Sequence, residues 1–149
     1  MALVPPAPLV ARRQCGSETL GLNGAVIRAV RVYELSDQDS GARWLVDRIW
    51  PRGIAKASLA LAGWARDAAP SDELRRWFGH DPRRWEEFRR RYATELDRSG
   101  ESWRPLLDAA SIGDVLLLYA ARDAEHNNAV ALRDYLLERM VPSPPDLEP

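Results

Sequence analysis

The stretch Asp114-Val115-Leu116-Leu117-Leu118-Tyr119-Ala120, set between Gly113 and the polar pair Arg122-Asp123, decides the fold. A near-continuous apolar run bounded by turn and charge signals is what a β-strand covered on both faces requires, so this strand belongs in the middle of a sheet. Working towards the N-terminus, Trp44 to Trp50 reads as a second strand, ended by Pro51 and Gly53 and interrupted by the charged pair Asp47-Arg48. Val26 to Tyr33 reads as another, because Val26, Ile27, Val30 and Val32 are apolar and β-branched and the turn-rich Ser36 to Gly41 follows.

Three helices are expected between these strands and the central one. Ser71 precedes Asp72-Glu73 and can cap the first, which Gly79 stops. Asp81-Pro82 opens the second, where Trp85, Phe88, Tyr92 and Leu96 recur at helical spacing as one aromatic stripe. Ser102 is the expected cap of the third, which tolerates Pro105 in its first turn. A last helix from about Glu125 to Met140 presents Ala129, Leu132, Leu136 and Met140 on one face. The order strand, strand, helices, strand, helix predicts an α/β fold, a small mostly parallel sheet packed with helices in a single domain.

At 149 residues with 46% hydrophobic and 29% charged residues the chain has the composition of an ordinary globular domain. Residues 1–24 lack periodicity and carry three prolines and three glycines, so they are expected to be a flexible tail; 25–140 is the folded region, and 141–149, with four prolines, a second flexible tail. A net charge of −1 gives the chain no overall attraction to nucleic acid or an anionic membrane. Cys15 is the only cysteine, which excludes an internal disulfide and suits a reducing cytoplasm. Prolines interrupt the N-terminal apolar run and Arg12-Arg13 follow it, so neither export nor membrane insertion is expected.

Ligands of open α/β sheets bind beyond the carboxyl ends of the strands. Two segments leave a strand there with many polar groups: Asp47 to Gly53, and Tyr119 to Asn128. The site candidates are Asp47, Arg48, Trp50, Arg52, His80, Tyr119, Asp123, His126 and Asn127. Arg48 and Arg52 offer planar, bidentate donors for a phosphate or carboxylate; in the plainer reading, Asp47 and Arg48 satisfy other charges at a half-buried strand end. His126 either meets an anion at the start of the last helix or caps it, and His80 either closes a turn or serves the site as acid or base. Two histidines with Asp47 and Asp123 lack metal-ligand spacing, so no metal and no cofactor is assigned. Arg89-Arg90-Arg91 is interleaved with Glu86, Glu87 and Glu95, the pattern of a solvated helix face.

The segments Leu45 to Gly53, Trp64 with Asp67 to Ser71, Leu74 to Pro82, Trp85-x-x-Phe88, Tyr92, and Leu118 to Asn127, in this order, resemble the YeaO-like branch of the domain-of-unknown-function 488 family. The resemblance spans about residues 28 to 138 and implies a compact cytoplasmic bacterial α/β protein without an agreed activity. More distant members carry a Cys and His segment after the last strand; this chain has His126-Asn127-Asn128 there, so thiol-based or rhodanese-like chemistry is not expected.

The leading expectation is a protein binding a small anionic ligand through Arg48, Arg52, His80, His126 and Asn127, with Asp47 or Asp123 orienting the donors. A non-enzymatic regulatory or nucleic-acid-binding module is the alternative, and would need Arg75, Arg76, Arg83, Arg84, Arg89 and Arg90 unneutralised on one face. Metal-dependent hydrolysis, the third, needs His80 and His126 to converge with a carboxylate.

Overall fold

The computed structural model describes residues 18–20 and 26–140; Cys15 and the tail 141–149 lie outside them. Its five strands are β1 (Glu18–Leu20), β2 (Val26–Arg31), β3 (Ala42–Leu45), β4 (Gly63–Trp64) and β5 (Val115–Tyr119), in the order β1-β2-β5-β3-β4. The helices are α1 (Lys56–Leu59), α2 (Asp72–Phe78), α3 (Trp85–Asp97), α4 (Arg104–Ala110) and α5 (Asn128–Met140). β1 runs antiparallel to β2 and every other pairing is parallel, so the mostly parallel α/β sheet expected from sequence is present.

β5 is the centre of the sheet, pairing with β2 from Ile27↔Val115 to Arg31↔Tyr119 and with β3 from Ala42↔Val115 to Leu45↔Leu118. All five of its residues are buried, and their alternation divides the core. Val115, Leu117 and Tyr119 join Ile27 and the helical residues Leu74, Phe78, Phe88, Tyr92, Leu106, Leu132 and Leu136. Leu116 and Leu118 join Val30, Leu45 and Leu59, with Trp50 and Trp64 against them. Helices thus cover one face, while the chain between β3 and β4 covers the other.

Local signals act where they were read. The Ser71 hydroxyl accepts the Leu74 amide at 3.1 Å, and Gly79 ends α2 in the left-handed region at φ 54°. Asp81 accepts the Arg83 amide at 3.0 Å, capping a 3-10 turn that runs into α3. Five expectations need correction. The second strand stops at Leu45: the Val46 amide still donates to Leu118 at 3.1 Å, and Asp47-Arg48 lie past the ladder instead of inside it. The first strand gives way to a 3-10 turn over Val32–Glu34. Ser102 does not cap α4; its hydroxyl bonds that of Ser99 at 2.8 Å and Trp103 occupies the cap position. The last helix begins at Asn128, with Asn127 accepting the Val130 amide at 3.0 Å. Within the span read as an N-terminal tail, Glu18–Leu20 forms the edge strand β1. The elements α1 and β4 carry no clear sequence signal, being four and two residues long.

Candidate functional site

Because β2, β5 and β3 run parallel, their carboxyl ends arrive side by side. The segments leaving those ends line a cleft of about 370 Å³: Tyr33 after β2, Asp47 to Arg52 after β3, Ala120-Ala121 after β5, and Asn127-Asn128 opening α5. Ala69-Pro70, Arg75, Phe78, His80 and Phe88 close the opposite wall. Six of the nine sequence candidates therefore meet here: Asp47, Arg48, Trp50, Arg52, His80 and Asn127.

Asp47 is held by both strand ends. Its Oδ2 accepts the Ala120 amide at 3.0 Å and its Oδ1 accepts Asn128 Nδ2 at 3.0 Å. Its main-chain carbonyl accepts Trp64 Nε1 at 2.7 Å, which ties β4 to the same point. Burial raises the Asp47 carboxyl above the usual carboxylate range, against the lowering effect of the Asn128 and Ala120 hydrogen bonds and of the positive charges at Arg75 and His80. Asn128 also donates to the Val46 carbonyl at 2.9 Å, so one amide group stitches α5 to the end of β3.

Arg48 is a clamp. Its Nε donates to the Pro70 carbonyl at 3.2 Å and its Nη2 to the Ala69 carbonyl at 3.3 Å. The same segment is gripped from α3, where the Tyr92 hydroxyl donates to Ala68 and Glu95 accepts the Ser71 amide at 2.8 Å and its hydroxyl at 2.6 Å. The plainer reading of Arg48 thus has a concrete form: its partners are carbonyls, not carboxylates. Arg48→Met, which keeps the stem but strips both donors from buried Ala69 and Pro70, is expected to cost about 2 to 4 kcal/mol in urea titration. A change under about 0.5 kcal/mol would mean that water satisfies those carbonyls.

The other basic residues of the cleft are freer. Arg52 is exposed, and its guanidinium makes neither a hydrogen bond nor an ion pair among the described residues, while its carbonyl accepts the Tyr33 hydroxyl at 2.8 Å. Arg75 pairs with Asp72 one turn earlier on α2 at 3.1 Å, and both side chains are about half exposed. His80 follows Gly79 with its own φ at 58°, a left-handed conformation uncommon for a residue with a Cβ. Two consecutive residues of that hand turn the chain back after α2, and this is how His80 reaches the cleft.

Tyr119, Asp123 and His126 do not line the cleft. Tyr119 is buried in the core on the helical side of β5. Asp123 accepts the amides of Glu125 and His126 at 2.9 and 3.0 Å and His126 Nδ1 lies 3.0 Å from its other oxygen, so the pair builds the turn into α5. These hydrogen bonds and the neighbouring imidazole hold the Asp123 carboxyl below the usual range despite the opposing desolvation. The His126 ring rests edge-on against Trp85 at 5.2 Å. Of the two adjacent asparagines, sequence reading chose Asn127, which is 2% exposed and spends its side chain on the Val130 amide and the Asp123 carbonyl. Asn128, Arg75, Tyr33 and Ile49 also line the cleft although none was a named site candidate; Ile49 and Asn128 lie in the two segments read as leaving the strand ends, Arg75 lies in a motif of the family resemblance, and Tyr33 lies in none of these.

This is the architecture of an α/β protein with a polar cleft at the carboxyl edge of a parallel sheet. The family model described as the inactive DUF488-N3 subclade matches residues 26–146, and the chain belongs to that family. It is 40% identical over 110 residues to the uncharacterized protein YeaO of Escherichia coli, covering 74% of this chain and 96% of that one. It is 52% identical over 73 residues to the uncharacterized protein Rv3073c of Mycobacterium tuberculosis, covering 49% of this chain and 62% of the other. The uncharacterized protein Mb3100c of Mycobacterium bovis matches to the same extent, 52% over 73 residues. No solved structure matches.

Proposed function

We propose that the cleft binds a small anionic ligand. The observation that carries this is the charge arrangement among the described residues: Arg52 without a carboxylate partner, beside Arg48, Arg75 and His80, around a cleft where the one acid lining it among those residues, Asp47, is already hydrogen-bonded through both oxygens. A guanidinium left unpaired at a concave site is available to a phosphate or carboxylate at little desolvation cost. The description of the subclade as inactive supports binding without turnover. Among the described residues no three His, Cys, Asp or Glu side chains converge as a metal would need, and His126 is engaged with Asp123, so metal-dependent hydrolysis lacks support.

The nucleic-acid alternative is weaker for a specific reason. Arg83 pairs with Asp81 at 3.2 Å, Arg89 with Glu86 and Asp134 at 3.4 and 3.3 Å, and Arg90 and Arg91 both with Glu87. A face neutralised in this way has few counterions to release on binding a phosphate backbone. No helix among the described residues is long and apolar enough to cross a membrane, and the single cysteine supports a cytoplasmic setting for the reading.

Thermal shift and calorimetry with inorganic phosphate test the proposal, since a ligand that binds only the folded state raises apparent stability by mass action. Arg52→Ala is expected to leave the melting temperature unchanged without ligand, because the side chain is exposed and has no partner among the described residues. It should weaken phosphate binding about tenfold or more, the scale of one charged hydrogen bond. Wild-type affinity in Arg52→Ala, or no phosphate binding by the wild type, would sink the anion site.

A further inference from the structure

Among the described residues only three large hydrophobic side chains are strongly exposed: Tyr33 at 44%, Ile49 at 59% and Ile112 at 85%. Single exposed apolar residues are ordinary, and Ile112, in the turn after α4, needs no explanation. The other two belong to chain segments sixteen positions apart, yet both line the cleft that carries Arg52, unpaired among the described residues. We infer that the ligand is amphipathic, a small molecule with an anionic head and an apolar body that lies over Ile49 and Tyr33 while the head meets Arg52. The inference rests on the anion-binding reading and adds to it the chemistry of the other half of the ligand.

Three features support that division of labour. First, the rim residues are held in place and not merely left over. The Tyr33 hydroxyl donates to the Arg52 main-chain carbonyl at 2.8 Å, so the ring is tied to the backbone that carries the arginine. The Arg31 guanidinium sits 4.9 Å from the Tyr33 ring centre and lends it further support. Second, Trp50 continues the same wall and is locked by donation of its Nε1 to the Ile54 carbonyl at 2.6 Å and by edge contact with Trp64 at 5.4 Å. Third, the cleft's volume of about 370 Å³ lies in the range of small-molecule sites, which are mostly apolar with a few placed polar groups. A site for a bare inorganic anion has no use for exposed isoleucine at its edge.

Methyl phosphate and phenyl phosphate separate the two halves, because they share a monoester head and differ in the apolar body. Calorimetry on the full chain is expected to show phenyl phosphate binding about tenfold or more tightly than methyl phosphate, the gain from burying roughly 60 Å² of apolar surface. Ile49→Ser and Tyr33→Ser, both at exposed positions, should each cut that ratio at least about threefold. In Ile49→Ser the affinity for methyl phosphate should stay at the wild-type level. If methyl phosphate binds and phenyl phosphate is no tighter, the amphipathic ligand is wrong and the anion site stands. A ratio that survives both substitutions also overturns the inference, since the body then lies elsewhere. If neither ester binds, the anion reading falls and this inference with it.

Discussion

Phe88→Ala is expected to lower stability by about 3 to 5 kcal/mol, with a fall in melting temperature of roughly 10 °C or more. The side chain is 2% exposed and stands at the middle of a ring stack, 4.4 Å from Phe78, 5.7 Å from Trp85 and 5.7 Å from Tyr92. Its removal empties a volume that the sheet, α2 and α3 surround, and rigid secondary structure around a cavity relaxes only partly. Urea titration measures it, with the slope expected to hold because the surface exposed on unfolding hardly changes. A loss below about 1 kcal/mol would show that Phe78 and Trp85 collapse into the space. Trp85→Ala should cost less although tryptophan is larger, because Trp85 is only half-buried and divides its contacts between His126 and the core rings Phe78 and Phe88.

That ranking shows what periodicity tells and what it does not. The spacing of Trp85, Phe88, Tyr92 and Leu96 identifies a face of α3 correctly, and the last three are buried. It carries no information on depth, which depends on the sheet and on α2 and α5 packed around the stripe. The central strand was legible for a stronger reason: five consecutive apolar residues from Val115 can all be buried only if both faces are covered. The capping residues Ser71, Gly79 and Asp81 were legible because their hydrogen bonds are local. β4 and α1 were not, since Gly63–Trp64 and Lys56–Leu59 are held by contacts with β3 and with the sheet's second face, and a two-residue strand has no period.

The candidate site divides along the same line. Parallel strands must bring their ends together, so the meeting of Asp47 with the segment after β5 followed from topology. Which polar side chains face the cleft did not follow. Asn127 and Asn128 are adjacent and chemically identical, and only the direction in which α5 leaves the turn sends one to its own helix and the other to Asp47. Arg48 and Arg52 are the same residue type, yet the placement of Ala69 and Pro70, set by the grip of α3 on that segment, occupies the first and leaves the second open among the described residues. The partners of Arg48 stand 21 and 22 positions away and those of Asn128 81 and 82, beyond the reach of any local pattern, whereas Asn127 is committed to groups three and four positions away.

Asp47→Ala is expected to cost about 2 to 4 kcal/mol near pH 5, and less as the pH rises. The deletion leaves the Ala120 amide and one donor of Asn128 without their acceptor in a half-buried setting, each worth about 1 to 3 kcal/mol, offset in part by removal of a desolvated charge. The pH dependence follows from the direction of the carboxyl's displacement. Burial raises it above its ordinary value, and the hydrogen bonds from Asn128 and Ala120 and the charges of Arg75 and His80 only partly oppose this. A group that holds its proton more tightly in the folded than in the unfolded chain contributes stability that is fully present below the unfolded pKa and is lost as pH rises through the folded one. The wild type therefore gives up an increment between the ordinary carboxylate range and the raised value, while the alanine variant, lacking the group, gives up none. The other titrating groups are common to both chains, so the difference between them reports Asp47 together with its coupling to His80. Paired urea titrations from about pH 4 to 8 measure it. A cost that grew with pH instead would mean that the ionised carboxylate is the form the fold prefers, with Arg75 and His80 outweighing the burial.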